Sequence, residues 1–360
     1  MNITLMIYGL CGGGAERVLV NLANKLSENG NVVKIIVFDE GQSDYELQKG
    51  IDVVSYKTNT SNKLFTFFSM IINMRRAILD TNPDLLISFL TTTNIYALLG
   101  NLLHNKTIII SERNDPNQDP EQWYYRLLRK FIYPLASGFV FQTNDAKKYF
   151  SKNIQNRSTV IPNPVFIDLI DNFHIEKKNT IVCVGRLEPQ KNQKMLIDAF
   201  EIIKDDFPDF SLDIYGDGSL RTELQEYINN KSLQNIVTLK GRVKNLHEQI
   251  IGASLFVLPS NYEGMSNALM EAMALGIPCI STDCPIGGSA DLIKNNVNGI
   301  LIAVNDVDQL ICAMRKILGN KDFSTKLATE ATKVKTTNNI SNIYIEWDEY
   351  IKKVISNENK

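Results

Sequence analysis

Two carboxylates lie where a predicted strand gives way to a predicted helix. The apolar run 255–258 is typical of a buried parallel strand, and Pro259 ends it. Glu263 then falls in the connecting turn, and Glu271 falls about one turn inside a helix that should end near Gly276. In doubly wound sheets, a turn at the carboxyl end of a parallel strand is a place where ligands bind.

The turn itself is suited to an anion. Ser266 or Asn267 is the expected N-cap, and the N–H groups from Gly264 through Met265 to Asn267 would face a negatively charged ligand. The two carboxylates can accept hydrogen bonds from sugar hydroxyls. An isolated pair of glutamates is more often a solvated surface feature, so the interpretation depends on matching residues elsewhere in the chain.

A glycine-rich turn follows the first predicted strand, residues 3–8. Gly12, Gly13 and Gly14 open a helix predicted over 15–28, and consecutive glycines let backbone N–H groups approach a phosphate closely. A dinucleotide-binding turn begins in the same way. However, Arg17 stands where that fingerprint has its third glycine, so the turn indicates phosphate binding without favouring NAD.

Composition bounds the class of protein. A chain of 360 residues with 44% hydrophobic and 22% charged residues is typical of two globular domains, and a net charge of −2 excludes a strongly basic nucleic-acid binder. Five scattered cysteines indicate reduced thiols, and three widely spaced histidines give no metal-ligand pattern, so we expect no metal and no other cofactor. The N-terminal segment is predicted as a strand rather than a signal peptide, and no run of about 18 apolar residues exists.

Alternating strands and helices, with glycine turns at strand ends, occur in both halves of the chain. This order predicts an α/β protein of two Rossmann-like, doubly wound domains facing a cleft. We place the first domain at 1–168 and the second at 177–335, with a polar linker beginning at 168. The remaining segment, 336–360, contains a predicted amphipathic helix that would cross back to the first domain.

Two stretches of the first half carry an excess of cations. The predicted helix 62–79 has two apolar stripes, and residues 53–79 contain four basic residues and no acid. This helix is either enclosed between the core and a second packing surface or lies on an anionic membrane. Residues 123–160 contain seven basic residues and one acid, and Arg126, Arg129 and Lys130 are predicted to share one helix face. That face is either simply solvated or binds a phosphate-bearing acceptor.

Taken together, these motifs resemble those of the GT-B retaining glycosyltransferases, in the large bacterial group that builds surface polysaccharides and lipid-linked oligosaccharides. The resemblance covers nearly the whole chain. The matching residues are the glycine turn with Glu16 and Arg17, then Gly185-Arg186-Leu187 with Lys191-Asn192, and finally Glu263 and Glu271.

The resemblance implies a role for each matching position. Arg186 and Lys191 would hold the donor diphosphate and stabilise the leaving nucleotide, Glu263 would contact the transferred sugar, and Glu271 would bind the ribose. Backbone contacts to the donor would come from Gly13, Gly14, Gly264, Met265, Ser266 and Asn267, with Arg242 and Val243 bordering the base.

The acceptor side is less closely matched. Glu16 and Arg17 would face the acceptor, together with Arg126, Arg129 and Lys130. Many relatives have a histidine where this chain has Arg113, so Arg113 is a candidate for binding acceptor phosphate instead.

The function implied is transfer of a sugar from a nucleotide sugar, expected to be a UDP-sugar, to a polyprenyl-diphosphate-linked glycan, with retained α-configuration. The enzyme would bind peripherally to an anionic membrane on the cytoplasmic face of the inner membrane. One alternative keeps the chemistry and changes the acceptor to a soluble sugar. Another is a nucleotide-sugar-binding protein without catalysis, against which the full set of motif residues argues.

Overall fold

The computed structural model describes residues 1–57, 62–167 and 176–358. Within these ranges the chain forms two compact units, one made of residues 1–163 with 341–360 and the other of residues 164–340. The first unit therefore ends a few residues before the expected limit at 168, and residues 336–340 fall in the second unit. Much of the expected linker, residues 168–175, lies outside the described residues.

The first unit alternates strands and helices along a parallel sheet. Its elements are β1 (Asn2–Met6), α1 (Gly14–Glu28), β2 (Val32–Val37), β3 (Asp52–Ser55), α2 (Lys63–Thr81), β4 (Leu85–Phe89), α3 (Thr91–Asn101), β5 (Thr107–Ser111), α4 (Trp123–Ile132), β6 (Gly138–Phe141), α5 (Asn144–Lys148), α6 (Lys152–Asn156) and β7 (Ser158–Val160). The strand order is β3-β2-β1-β4-β5-β6-β7, and neighbouring strands are parallel.

The second unit repeats this plan with a six-stranded sheet. Its elements are β8 (Lys178–Val184), α7 (Gln193–Ile203), β9 (Ser211–Tyr215), α8 (Arg221–Asn230), β10 (Val237–Gly241), α9 (Leu246–Ile250), β11 (Ala253–Leu258), α10 (Asn267–Ala274), β12 (Cys279–Thr282), α11 (Gly288–Leu292), β13 (Ile300–Ile302), α12 (Val307–Leu318), α13 (Lys321–Ala331) and α14 (Val334–Thr337). The strand order is β10-β9-β8-β11-β12-β13, again with parallel neighbours.

Both sheets reverse their strand order at one point, between β1 and β4 and between β8 and β11. The strands on either side are nearly continuous apolar runs, and every residue of β4 is buried, as expected for strands covered on both faces. Connections leave in opposite directions at such a reversal, and the resulting crevice at the strand carboxyl ends is the usual ligand site. The prediction of two doubly wound α/β domains is thus confirmed.

The last helix, α15 (Ile340–Glu358), packs within the first unit. Trp347 stacks on Phe89 with ring centroids 5.9 Å apart. The hydroxyl of Tyr350 donates to the carbonyl of Arg157 at 2.5 Å and accepts from the N–H of Phe139 at 2.8 Å. The C-terminus of the chain therefore completes the unit that its N-terminus begins.

The five cysteines divide by exposure. Cys11 and Cys312 are exposed, whereas Cys183, Cys279 and Cys284 are buried, and none of the five is in a disulfide. Burial raises the pKa of both the Cys183 and Cys284 thiols to about 12, so neither forms the reactive thiolate near neutral pH.

In the native protein, a disulfide-exchange reagent should therefore modify Cys11 and Cys312 rapidly and leave the three buried thiols unmodified. After unfolding in denaturant, all five cysteines should react. Spectrophotometric titration of the released thiol counts the cysteines that react in the native and in the unfolded protein. Rapid modification of a third cysteine in the folded protein would contradict the burial of this group.

Candidate active site

The loop after β8 presents the two expected diphosphate ligands. Its backbone is held firmly, since Gln193 Nε2 donates to the Arg186 carbonyl at 2.9 Å. A Cβ added to Gly216, whose φ is 128°, would collide with the Gly185 carbonyl. The Arg186 side chain itself is exposed, whereas Lys191 turns inward.

Lys191 and Glu263 form a largely buried ion pair. The Lys191 Nζ lies 2.5 Å from the Glu263 Oε1, and the two side chains are only 14% and 7% exposed. The same carboxylate oxygen accepts a hydrogen bond from the Ser260 hydroxyl at 2.6 Å. Residues 72 positions apart in sequence thus meet, because β8 and β11 are neighbours at the point where the strand order reverses.

The start of α10 is buried beside this pair. Ser266 is the N-cap, and its side-chain oxygen accepts from the Leu269 N–H at 3.4 Å. Gly264, Met265 and Ser266 are all buried, while Asn267 is half-buried. A Cβ on Gly288 would collide with the Gly264 carbonyl, so the next loop packs directly on the turn.

Glu271 lies inside α10 and contacts a residue that the sequence analysis missed. His247 Nε2 is 3.1 Å from the Glu271 Oε2, and both residues are buried. Because an ionised carboxylate only accepts hydrogen bonds, the imidazole nitrogen donates. His247 follows the loop that carries Arg242, which is exposed, and Val243, which packs against the hydrophobic cluster around α10. No local motif marks this histidine, since its partner is 24 residues away.

The glycine turn of the first unit opens α1. Gly12 has a φ of 72°, Gly13 is the extended N-cap, and the helix begins at Gly14. The Glu16 carboxylate folds back onto Gly13, where a Cβ would collide with it. Arg17 is half-buried in the following turn.

The expectation that Arg126, Arg129 and Lys130 share one cationic face is wrong. Arg129 is only 2% exposed and donates to two loop carbonyls and to the Tyr149 hydroxyl, with the Glu112 carboxylate at 3.8 Å. Arg126 also donates to loop carbonyls, at 2.9 and 3.1 Å. Only Lys130 of the three is exposed, because the guanidinium groups of Arg126 and Arg129 turn back to donate to loop carbonyls.

Arg113, the other acceptor candidate, follows β5 and is also buried, with 8% of its surface exposed. Its Nη1 donates to the Asn163 side chain at 2.8 Å. Across the described residues, no group of three or more acidic, histidine or cysteine side chains is arranged to hold a metal ion. Within the same residues, no helix is both long and apolar enough to cross a bilayer.

Two family models match the chain in succession. Glycosyltransferase Family 4 matches residues 12–169, and Glycosyl transferases group 1 matches residues 168–334. The first match covers most of the first unit up to β7, and the second covers nearly all of the second unit.

Similar proteins agree with these matches. The Campylobacter jejuni protein GalNAc-alpha-(1->4)-GalNAc-alpha-(1->3)-diNAcBac-PP-undecaprenol alpha-1,4-N-acetyl-D-galactosaminyltransferase is 32% identical over 98% of this chain and 99% of its own length. An Escherichia coli UDP-Gal:alpha-D-GlcNAc-diphosphoundecaprenol alpha-1,3-galactosyltransferase is 30% identical over 62% of this chain and 63% of its own. Among solved structures, Anabaena Alr3699/HepE in complex with UDP and glucose matches with a TM-score of 0.82 at 18% identity, covering 98% of this chain and 99% of that one.

The two doubly wound units and their match to solved structures define the GT-B fold. Since a relative of 32% identity spans the full length, the chain belongs to the glycosyltransferases of group 1. It is an enzyme that transfers a sugar.

The ion pair gives a test that needs no substrate. Lys191→Met should destabilise the protein by about 3–5 kcal/mol, because the buried Glu263 loses its cation. Adding Glu263→Gln should restore most of the stability, since a neutral amide needs no counter-charge and still accepts from Ser260. Urea unfolding of the single and double variants measures both effects.

Lys194→Met is the matched control, because Lys194 forms an exposed ion pair with Glu223 and should lose little stability. Equal losses in Lys191→Met and Lys194→Met would show that the buried pair contributes no more than a surface pair.

Proposed function

We propose that the enzyme transfers a sugar from a UDP-sugar to a growing glycan linked to polyprenyl diphosphate, with retention of the α-configuration. The observation that carries this proposal is the placement of Arg186, Lys191 and Glu263 at one ligand edge of the second unit. The two named relatives support it, since their names specify acceptors on PP-undecaprenol and diphosphoundecaprenol, and one names a UDP-Gal donor.

Arg186 and Lys191 would stabilise the leaving group. The exposed guanidinium of Arg186 offers several N–H donors to diphosphate oxygens, and its Nη2 donates to the Gln190 Oε1 at 3.5 Å. As the bond between the sugar and the diphosphate breaks, negative charge grows on UDP, and two fixed cations lower the energy of that state.

Glu263 would position the sugar. Its Oε1 is engaged by Lys191 and Ser260, which leaves Oε2 to accept from a sugar hydroxyl. In the proposed step, the acceptor hydroxyl attacks the anomeric carbon from the face on which UDP departs. The new glycosidic bond forms as the bond to the β-phosphate breaks, and the hydroxyl proton passes to the released diphosphate.

The nucleotide would bind along α10 and the loop before α9. Glu271 would accept from the ribose hydroxyls, with the hydrogen bond from His247 holding its carboxylate in place. Arg242 and Val243 would border the base. The remaining backbone donors to the phosphates and the sugar would be Gly264, Met265, Ser266 and Asn267 together with Gly13 and Gly14.

The acceptor would bind near Glu16, Arg17, Arg113 and Lys130. Arg126 and Arg129 would not take part, because their guanidinium groups donate to the protein's own carbonyls.

An apolar surface on the first unit favours a lipid-linked acceptor. Helix α3 packs between α2 and α4, and both outer helices expose large side chains. Exposed cations accompany them, namely Arg75, Arg76 and Lys130. The stripe containing Met70 and Met74 is buried, so the other stripe faces out. The apolar surface consists of Leu64, Phe65, Phe68, Ile72, Leu79, Trp123, Tyr124, Leu127 and Phe131.

Large apolar side chains with aromatic and basic neighbours are typical of a protein face that enters the headgroup region of a bilayer. We propose that the enzyme binds a membrane peripherally through this surface, and that the membrane face is the cytoplasmic face of the inner membrane. The side chain of Lys63, which was counted among the cations of this stretch, lies outside the described part of the chain.

Arg186→Gln tests the diphosphate role. The change should lower kcat about 100-fold, the scale of one lost preorganised electrostatic contact, without altering the fold. Release of UDP in the presence of acceptor gives the rate, with the donor chosen from a panel of UDP-sugars by thermal shift. Arg315→Gln, at an exposed arginine of the same unit, is the control. A kcat of Arg186→Gln within a few-fold of wild type would exclude this role.

The membrane contact has its own test. Each exposed cation near an anionic surface contributes about 1 kcal/mol, so Arg75→Glu with Arg76→Glu should abolish cosedimentation with anionic vesicles at low salt. Lys352→Glu with Lys353→Glu makes the same charge change at another exposed site and should leave binding intact. Equal binding of the wild type to neutral and anionic vesicles, or to neither, would favour a soluble acceptor.

A further inference from the structure

Arg113 is held rigidly inside the first unit. Its guanidinium lies over the Phe89 ring, 4.0 Å from the centroid, and the Trp347 ring centroid is 5.8 Å away. Its Nη1 donates to the Asn163 Oδ1 at 2.8 Å, and the same oxygen accepts from the Gln142 Nε2 at 2.7 Å. Two aromatic rings and one hydrogen bond therefore fix both the plane and the rotation of the guanidinium.

The other donors of this guanidinium have no partner. Nε and Nη2 are buried and make no hydrogen bond within the described residues. These two groups are adjacent and point the same way, forming the edge of the fork that binds two oxygens of one carboxylate or phosphate. Burial lowers the pKa of Arg113 to about 9, and no acidic side chain of the described ranges opposes the effect. A buried cation without a counter-charge is costly, and a bound anion would remove that cost.

Arg129 shows that this arrangement is not general in the unit. It is as deeply buried, yet its donors reach two loop carbonyls and the Tyr149 hydroxyl, and the Glu112 carboxylate lies at 3.8 Å. Groups of the first unit thus satisfy the buried Arg129 guanidinium, whereas the Nε–Nη2 edge of Arg113 has no hydrogen-bond partner among the described residues. That difference points to a ligand at Arg113 rather than to a structural role.

The position of Arg113 in the sheet is also that of a ligand site. Phe89 ends β4, Arg113 follows β5, Gln142 follows β6 and Asn163 follows β7. These four strands are consecutive neighbours, so their carboxyl ends bring the four side chains to one edge of the sheet. Carboxyl ends of parallel strands are where doubly wound sheets bind ligands.

We propose that Arg113, oriented by Asn163 and the two aromatic rings, binds a phosphate oxyanion through its Nε–Nη2 edge. Given the proposed transfer reaction, that oxyanion belongs to a diphosphate, either that of the nucleotide donor or that of the lipid-linked acceptor. Gln142 and Asn163 act as positioning residues, because they contact the guanidinium or its partner and not the anion.

Inorganic pyrophosphate is a probe for both sources. Calorimetry with the full chain should show pyrophosphate binding that Arg113→Gln weakens by at least ~tenfold, the scale of a lost bidentate charged contact. Arg113→Lys should also bind more weakly than wild type, since a point charge cannot form the paired contact. Lys152→Gln, at an exposed lysine of the same unit, should bind like wild type. Melting curves confirm that each variant is folded, and Arg113→Lys provides the test if Arg113→Gln is not.

Repeating the titration with saturating UDP distinguishes the two sources. Binding that depends on Arg113 and persists with UDP assigns the anion to the acceptor, whereas binding that UDP abolishes assigns it to the donor. Wild-type affinity in Arg113→Gln or in Arg113→Lys, with and without UDP, overturns the site. Because no sugar transfer is measured, failure of this site and failure of the proposed reaction are separate results.

Discussion

Burying an ammonium and a carboxylate costs desolvation free energy. Their attraction offsets this cost only when the two lie at hydrogen-bond distance and their remaining donors and acceptors are also hydrogen-bonded. Lys191 and Glu263 lie at that distance, and the groups around them hold them there. Gly216 lets β9 approach the loop after β8, and Ser260 supplies the second hydrogen bond to the carboxylate. The pair thereby ties together the two loops that flank the reversal in strand order. This ion pair therefore determines where Arg186 lies on one loop and where the N-terminus of α10 lies on the other.

Local patterns predicted many of the strands, and the local structure around Glu263 and Glu271, correctly. Apolar runs such as 85–89 and 255–258 are too short for a helix, and polar or proline residues end them, so the strands were predictable. For the same local reasons, Glu263 was expected in a turn, Glu271 in a helix and Ser266 at its N-cap. The contact between Lys191 and Glu263 depends on the strand order of the second sheet, which spacing in the sequence does not give.

Contacts set by tertiary packing were not predictable in this way. The pairing of His247 with Glu271 depends on a hydrophobic cluster that Leu246 and Ile250 of α9 share with Leu269 of α10. The count of charges over 123–160 predicted a cationic helix face that the structure does not have, for a related reason. A count shows how many cations a segment has, but the irregular loop 116–121 offers carbonyls that must find donors, and long arginine side chains from α4 supply them.

Helix α15 has a consequence for how such enzymes can be recombined. The first unit is discontinuous in sequence, because Trp347 and Tyr350 pack on Phe89 and Phe139 from the far end of the chain. A chimaera that exchanges residues 1–163 alone would place foreign strands against the native α15 and leave the N–H of residue 139 dependent on a mismatched hydroxyl. Gene fusions made at a single crossover are therefore expected to fold poorly, whereas exchange of residues 1–163 and 341–360 together moves the whole unit as one piece.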